Sequence, residues 1–291
     1  MHRDGVSCAA GALVGLLGVV SGFAQAGPTE IIGVAFDGTT YSIDQATGAA
    51  TLAPMDTGLA GMFVTSLTVD DDWNYWAAAG LGTTHTLVRF GPGGQQSLSI
   101  TGLATPDAGV FSIDFASDGT MYALVREGIG VNSPFALYQI DTMTGAASKA
   151  VDLHIGATIA TQLGDMAFAD DGTLYAWHRS LISGPDLGLA TIDPATGEVS
   201  DAGGAVSFNA NFLAMDFTPD GRLFGVTSNA QPPSTILHPS ALYEFSLVTG
   251  APSLVGDMGQ DLDIRGIVVI PAPGGVGLLA GAFVLTSRRR R

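Results

Sequence analysis

Apolar and polar residues alternate with the two-residue period of β-strands along most of the chain between residues 27 and 270. One recurring pattern is an apolar strand, an Asp-Gly turn and a second strand with an aromatic residue. It occurs as DFASDGTMYAL from Asp114, AFADDGTLYAW from Ala167 and DFTPDGRLFGV from Asp216, with a weaker copy, TVDDDWNYWAA, from Thr68, in which Trp73 replaces the turn glycine. The turn aspartates of these copies are 46, 53 and 49 residues apart, which indicates an internal repeat.

A second pattern follows each copy of the first. It is YSIDQATGAA from Tyr41, YQIDTMTGAA from Tyr138, ATIDPATGEV from Ala190 and YEFSLVTGAP from Tyr243, with a degenerate version, VRFGPGGQQ, from Val88. Thr-Gly at the end of a four-residue connection is typical of a hairpin whose glycine adopts the left-handed region. Each unit of about 50 residues therefore contains four short strands, a to d, and such units repeated around a ring are β-propeller blades.

The two ends of this region are complementary. The segment from Ile31 has strands b, c and d but no strand a before it, whereas residues 263–269 match strand a alone. Pairing of these ends would remove a free sheet edge. We predict an all-β fold, a propeller of five four-stranded blades in residues 27–270, closed by its N- and C-terminal segments. A two-sheet β-sandwich is the alternative, but it does not explain the complementary ends. The region resembles the WD-repeat-like and YVTN-like propellers, a resemblance that implies a fold and not a function.

Residues 1–26 have the layout of a secretory signal peptide, including a signal helix. An apolar run from Ala9 to Val20 is followed by Ala24 and Ala26, the small residues expected at a cleavage site. The run is too short to span about 30 Å of hydrocarbon, which argues against a membrane anchor. Cys8, the single cysteine, would be removed with this segment.

Residues 271–291 have the layout of a C-terminal sorting signal. Pro271, Ala272 and Pro273 precede an apolar segment, for which we predict a short transmembrane helix, and the chain ends in four arginines, Arg288, Arg289, Arg290 and Arg291. The positive-inside rule keeps the arginines cytoplasmic and the body outside. The tail resembles the PEP-CTERM signal of bacteria that use exosortase-type enzymes, with alanine replacing the family's central glutamate. The resemblance implies a processing protease at the inner membrane and transient anchoring there. A plain C-terminal anchor is the alternative.

Composition excludes several classes of function. The chain has 11 basic and 27 acidic residues and a net charge of -16, which argues against a nucleic-acid-binding surface. One cysteine excludes an intramolecular disulfide and cysteine-based metal centres. No Asp-x-Asp-x-Asp-Gly calcium loop occurs, so we predict no cofactor, with Ca²⁺ left open because carboxylates are plentiful. Eight acids lie in or beside repeat turns: Asp37, Asp44, Asp72, Asp118, Asp141, Asp171, Asp193 and Asp220.

The candidate binding residues lie in the long connections between strands b and c, at residues 126–135, 178–187 and 227–240. Loops that vary on a rigid scaffold usually carry binding residues. The candidates are Arg126, His178, Arg179 and His238, all on one face of the ring. Alternatively, the arginines pair with aspartates and the histidines are solvated.

The innermost strands carry further candidates. One equivalent position is occupied by small residues except in one blade: Ser66, Ser112, Asp165, Ala214 and Gly266. Arg265 precedes that position in the closing blade, so an Asp165–Arg265 ion pair closing the channel is the favoured interpretation and a ligand or metal site the alternative. Asp114 and Asp216 lie further along the strand, where they could bind neighbouring backbone amides.

Phosphate loops and Gly-x-Ser-x-Gly elbows are absent from the sequence. We therefore expect an exported binding or structural module of the cell envelope, the cell surface or the extracellular matrix rather than an enzyme, with a surface polysaccharide or a protein as ligand and no nucleic acid. An extracytoplasmic propeller enzyme, a hydrolase, lactonase or lyase working from the long-loop face, is the alternative. A self-associating surface layer is a third possibility.

Overall fold

The computed structural model describes residues 29–80, 84–130, 132–178, 187–204, 212–227, 240–259 and 262–271. The predicted signal helix, its cleavage residues Ala24 and Ala26, and the tail after Pro271 with its predicted helix, including Ala272, Pro273 and the terminal arginines, lie outside these ranges. Within the described ranges, no helix has the length and apolar character needed to cross a membrane.

The described residues form strands grouped into five antiparallel sheets of four and one small hairpin. Blade 1 contains β1 (Thr29–Ala35), β2 (Thr40–Ile43) and β3 (Ala50–Leu52). Blade 2 contains β4 (Val64–Val69), β5 (Tyr75–Ala79), β6 (His85–Phe90) and β7 (Gln96–Ile100). Blade 3 contains β8 (Ala108–Phe115), β9 (Met121–Glu127), β10 (Phe135–Ile140) and β11 (Ala147–Asp152).

The remaining strands complete the ring. A hairpin of β12 (His154–Ile155) and β13 (Thr158–Ile159) connects blade 3 to the next blade. Blade 4 contains β14 (Leu163–Phe168), β15 (Leu174–His178), β16 (Gly188–Ile192) and β17 (Val199–Asp201). Blade 5 contains β18 (Phe212–Phe217), β19 (Leu223–Thr227), β20 (Ala241–Phe245) and β21 (Pro252–Asp257). The last strand, β22 (Ile264–Pro271), belongs to blade 1.

Blade 1 is assembled from both ends of the described chain. β22 pairs antiparallel with β1, in a register that runs from Thr29 opposite Pro271 to Ala35 opposite Ile264. β22 is therefore strand a, and the complementary ends predicted from the sequence close the ring as expected. The five innermost strands, β22, β4, β8, β14 and β18, pack side by side around the axis. The prediction of five four-stranded blades is confirmed.

The core consists of apolar layers between neighbouring blades. In blade 4 the fully buried Trp177 packs against Phe212 and Phe245 of blade 5, with ring centroids 4.8 and 5.7 Å apart. Tyr122 of blade 3 likewise contacts Phe168 of blade 4 at 5.5 Å. Tyr175, which aligns with Tyr122 in the repeat, contacts Phe217 of blade 5 at 5.5 Å. The aligned aromatic residues of blades 3 and 4 thus face the next blade, which explains their fixed place in the repeat.

The Thr-Gly turns join the outer strands of adjacent blades. Gly197, in the turn of blade 4, has φ +80°, and a Cβ there would lie 2.1 Å from the carbonyl oxygen of Asp152 in blade 3. Gly145 has φ +75°, and its Cβ would lie 2.4 Å from the carbonyl oxygen of Ser99 in blade 2. Glycine is therefore required at these positions for two reasons, the left-handed turn and the close contact with the neighbouring blade.

The repeat aspartates fix the turns by accepting backbone hydrogen bonds. Asp118 accepts from the amide of Thr120 at 2.9 Å, and Asp141 accepts from that of Met143 at 2.8 Å. In blade 2 this acceptor is Asp70, which binds the amide of Asn74 at 2.8 Å, although Asp72 is the residue that aligns with Asp118. The acidic composition is thus partly a consequence of turn chemistry.

Candidate functional site

Polar side chains on the innermost strands connect each blade to the next. Ser66 Oγ accepts a hydrogen bond from the amide of Ile113 at 3.0 Å, and Ser112 Oγ accepts from Met166 at 3.2 Å. In the following blade, Asp165 Oδ2 accepts from the amide of Met215 at 2.5 Å. The equivalent position thus serves the same purpose in three successive blades, because each side chain binds a backbone amide across a blade interface.

At the remaining interfaces this position has no polar side chain, since it is occupied by Ala214 and Gly266. A Cβ at Gly266 would lie 2.3 Å from the backbone nitrogen of Leu67. The strands β22 and β4 therefore approach each other too closely for any side chain, which confirms that crowding near the axis selects small residues here.

Two residues further along the strands, a second set of carboxylates makes equivalent contacts. Asp114 Oδ2 accepts from the amide of Phe168 at 2.7 Å, and Asp114 Oδ1 accepts from the Thr68 hydroxyl at 2.6 Å. Asp216 Oδ2 accepts from the amide of Val269 at 2.6 Å. The prediction that Asp114 and Asp216 bind neighbouring backbone amides is confirmed.

Burial makes these carboxyl groups weak acids. It raises the pKa of Asp114 to about 6, against the lowering effect of the hydrogen bonds from Thr68 and Phe168. The pKa of Asp216 lies well above its ordinary value because of burial and the nearby charge of Asp114. The pKa of Asp165 is also raised well above its ordinary value by burial. These groups are consequently suited to holding protons near the axis.

Asp165 is the most enclosed of the axial carboxyl groups, with 3% of its surface exposed. Within the described residues, its Oδ1 atom has no hydrogen-bond partner. The Ser112 hydroxyl is near enough to lower the pKa of Asp165, but its hydrogen bonds are to the backbone of Met166, at 3.2 and 3.4 Å. In the part of the chain that the structure describes, no three His, Cys, Asp or Glu side chains are arranged to hold a metal ion.

The predicted ion pair between Asp165 and Arg265 is wrong. Arg265 binds Asp263 instead, with Nε 2.7 Å from Oδ1 and a terminal nitrogen 2.9 Å from Oδ2. The guanidinium also lies over the ring of Phe36, 5.0 Å from its centroid. A partner two residues away that holds both nitrogens explains why Arg265 does not reach the axial carboxyl group.

The innermost strand of every blade has a β-bulge at the same place. The pairing register skips one residue in four blades, namely Thr65, Phe111, Leu213 and Arg265, and skips Gly164 and Asp165 in blade 4. A bulge bends the strand and redirects a side chain, and bulges are common beside binding sites. These residues form a rim around the axis on the face that carries the long b–c loops; we call it the bulge rim.

Arg126 lies beside the bulge rim. Its Nε donates to the carbonyl oxygen of Gly128 at 3.0 Å, and its guanidinium lies over the ring of Phe111, 4.6 Å from the centroid. Burial lowers its pKa. Among the described residues it makes no ion pair, and its contacts there are with a backbone carbonyl and an aromatic ring. A guanidinium on an aromatic ring is suited to a flat or anionic ligand.

His178 is buried rather than solvated. It ends β15 with 4% of its surface exposed, and its Nδ1 accepts from the amide of Leu187 at 3.4 Å. Leu187 begins the described part of the chain after the b–c loop, so His178 contacts the end of its own loop. The predicted candidates Arg179 and His238 lie outside the described residues. Arg126, His178 and Arg265 belong to three different blades.

The sequence did not point to the aromatic residues of this face. Phe36 packs against Phe63, with centroids 4.9 Å apart, and thus joins the stacked Arg265 to the start of blade 2. Phe63 is 43% exposed. The sequence did contain one signal for these residues. Each phenylalanine lies at the end of a strand, where the strand pattern does not require an apolar residue.

Comparison with known proteins assigns the chain to no family. No protein-family profile matches the chain, and no curated protein matches it. Similar solved structures include a protein of unknown function from Bacteroides caccae, 10% identical with a TM-score of 0.43, covering 84% of this chain and 99% of that one. A gluconolactonase from Xanthomonas campestris is 13% identical with a TM-score of 0.47, covering 83% and 79%. A glutaminyl cyclase from Myxococcus xanthus is 16% identical with a TM-score of 0.44, covering 80% and 94%. At these identities and TM-scores the likeness assigns no function to this chain.

Proposed function

We propose that the protein is an exported binding or structural module of the cell surface or extracellular matrix and that it is not an enzyme. The observation that carries the proposal is the use of the axial polar groups. Asp114 and Asp216, like the Ser66, Ser112 and Asp165 side chains, hold backbone amides of the next blade. Oxygens bound in this way stabilise the ring and are poorly placed to act on a substrate.

The position of the ring closure supports the proposed export route. The strand β22 ends at Pro271, the first residue of the Pro-Ala-Pro sequence, so no strand among the described residues extends past this proline. Cleavage near Pro273 by an inner-membrane protease would remove the apolar segment and the arginines while leaving the closed blade complete. The body then carries a strong negative charge, which favours solubility and disfavours binding to polyanions.

Mass spectrometry of the native protein tests the export route. We expect a first residue at Gly27 and a last residue near Pro273. We expect the double variant Pro271→Ala/Pro273→Ala to keep its C-terminus and to remain in the membrane fraction, since the recognised hinge is lost. An Arg222→Gln variant, changed on the exposed surface, is the control and should be processed normally. A surface-exposed wild-type protein that ends at Arg291 would overturn the processing step.

An extracytoplasmic enzyme is the second candidate, and the bulge rim is the observation that favours it. The rim brings Arg265 and the Arg126–Phe111 pair to the long-loop face, where a lactone or another uncharged polar substrate could be bound. The corresponding activity would be that of a hydrolase, a lactonase or a lyase.

An activity assay separates the two candidates. We expect the purified protein to hydrolyse δ-gluconolactone and p-nitrophenyl acetate no faster than its Arg126→Gln/Arg265→Gln variant does. Both rates should equal the buffer rate, because the axial carboxyl groups are bound to amides. Turnover by the wild-type protein that is lost in the double variant would contradict the module and support the enzyme.

A further inference from the structure

Blade 2 departs from the repeat at both of its tight turns. Its a–b turn has Trp73 at the position that Gly119, Gly172 and Gly221 occupy in other blades. Its c–d turn, residues 91–95, is a Gly-Pro-Gly-Gly-Gln sequence without Thr-Gly. The two altered turns are neighbours, because a Cβ at Gly91 would lie 3.2 Å from the carbonyl oxygen of Trp73. A regular repeat that changes twice at one place indicates a local requirement other than ring formation.

Trp73 has a backbone conformation that is unfavourable for tryptophan. Its φ is +63°, in the left-handed region, where the equivalent glycines have φ between +81° and +85°. A bulky side chain is disfavoured in this region, and strain of this kind concentrates at functional sites. Glycine would make the turn without strain, as it does in three other blades, so turn formation does not explain the tryptophan.

The indole of Trp73 is presented to solvent. It is 44% exposed, whereas Trp76 and Trp177, the other two tryptophans, are 4% and 0% exposed. The carboxylates of Asp71 and Asp72 are exposed beside it in the sequence. A large aromatic side chain that is strained and yet not buried contributes little to the core.

A hydrogen-bond frame fixes the turn that carries Trp73. Asp70 Oδ1 accepts from the amides of Asp72 at 3.0 Å and Asn74 at 2.8 Å, and Asp70 Oδ2 accepts from Trp76 Nε1 at 2.8 Å. Asn74 Oδ1 accepts from the amide of Gly93 at 2.6 Å and so ties the two turns together. The indole is therefore held on a rigid support, which reduces the entropy lost when a ligand binds.

We propose that Trp73, with Asp71 and Asp72, binds a neutral saccharide. The apolar face of a pyranose ring would lie on the indole, and its hydroxyl groups would donate to the two carboxylates. Neutral sugars are favoured over acidic ones because a uronic acid would be repelled by both aspartates and by a chain of net charge -16. This inference rests on the proposed function as a surface module, for which it names the class of ligand.

Co-sedimentation of the purified full chain with insoluble polysaccharides tests the inference. The probes are the neutral polymers cellulose, chitin and amylose, with calcium-free polygalacturonate in affinity gels as the acidic comparison. We expect at least one neutral polymer to bind, and we expect Trp73→Gly to weaken that binding by at least tenfold. The thermal midpoint of Trp73→Gly should equal or exceed that of the wild type, because glycine relieves the left-handed strain, so lost binding cannot be attributed to unfolding.

The matched control is Val248→Ala, which removes an exposed apolar side chain, 85% exposed, from the Thr-Gly turn of blade 5 on the same face of the ring. It should bind the neutral polymer as the wild type does. Equal binding by Trp73→Gly, tighter binding of polygalacturonate, or no binding of the wild type to any neutral polymer would each overturn the inference. The proposed function fails separately, through the location, processing and activity measurements described above, none of which depends on a saccharide.

Discussion

Replacing Gly197 by alanine is expected to lower the free energy of unfolding by about 3–5 kcal/mol, whereas Gly172→Ala is expected to cost only about 1–2 kcal/mol. Both glycines belong to blade 4, and their φ angles, +80° and +85°, are nearly equal. The conformational penalty of alanine in the left-handed region is therefore shared. Only Gly197 adds a contact, since its Cβ would lie 2.1 Å from the carbonyl oxygen of Asp152, while nothing lies within 4 Å of a Cβ at Gly172.

Urea unfolding followed by tryptophan fluorescence, to which the buried Trp76 and Trp177 contribute, measures this difference. The additional free energy of unfolding that is lost at Gly197 measures the contact between the outer strands of blades 3 and 4, because both variants share the strain of the turn. Gly145→Ala, with φ +75° and a contact of 2.4 Å across the preceding interface, should behave like Gly197→Ala. Equal losses at Gly197 and Gly172 would mean that the Thr-Gly turns do not join the blades.

The repeat carries most of the information about the fold. Two turn signatures at regular spacing predict hairpins, and the incomplete unit at Ile31 predicts the pairing with β22 that closes the ring. This works because turn residues and strand alternation are local, and a repeated local signal specifies the whole ring. A departure from the repeat, such as Trp73, is also visible in the sequence. The exposure of Trp73 and its φ angle are visible only in the structure.

The candidate site was harder to predict because its geometry depends on partners without a sequence signature. Asp165 was identified correctly as unusual, but its partner is the amide of Met215, which any residue could supply. The bulge at Arg265 redirects its side chain to Asp263, and nothing in the strand pattern marks the bulge. His178 is polar and borders a loop, yet it is buried and contacts the end of that loop. A sequence can therefore indicate which residues are exceptional without showing what they contact.

Thermal stability is expected to increase as the pH falls from about 6 to about 4, because of the axial carboxyl groups. The pKa of Asp114 is about 6 in the folded protein against 3.8 without perturbation, so the folded state binds this proton more tightly. The stability that protonation provides is complete below about pH 3.8 and is lost as the pH rises to about 6, roughly 3 kcal/mol for a shift of this size. Asp165 and Asp216 act in the same direction, because burial raises their pKa values too.

The turn aspartates set the acidic limit of this stability. Hydrogen bonds from Thr47 and Ala46 lower the pKa of Asp44, and hydrogen bonds from Thr196 and Ala195 lower that of Asp193. The stability contributed by a carboxylate of this kind is present above its ordinary pKa and is lost as the pH falls through the lowered value. The melting temperature is therefore expected to be highest at about pH 4–5, between the two groups of acids.

Asp165→Asn is expected to raise the melting temperature at alkaline pH by roughly 2–10 °C and to weaken its decrease with rising pH, because burial raises the pKa of Asp165. The amide oxygen retains the hydrogen bond from Met215, and the amide nitrogen replaces Oδ1, which has no partner among the described residues, with a donor near the Ser112 hydroxyl. The variant removes a buried charge and leaves the ring geometry unchanged, so stability increases most where wild-type Asp165 is ionised.

Scanning calorimetry of the wild type, Asp165→Asn and Asp193→Asn from pH 4 to pH 8 measures these effects. Asp193→Asn is the control, because it changes an exposed turn carboxylate whose pKa is lowered; it should slightly decrease the melting temperature at pH 8 and keep the wild-type slope above pH 5. Asp114→Asn should reduce the dependence of the melting temperature on pH between 4 and 6 in particular, because it removes the carboxyl group whose pKa is about 6. The variant keeps its hydrogen bonds, since its amide oxygen can accept from Phe168 while its amide nitrogen donates to the Thr68 hydroxyl. If the melting temperature of both axial variants changes with pH as that of the wild type does, these carboxyl groups stay ionised in the folded protein. The axial hydrogen bonds would then stabilise the ionised form of each carboxyl group and not the protonated form.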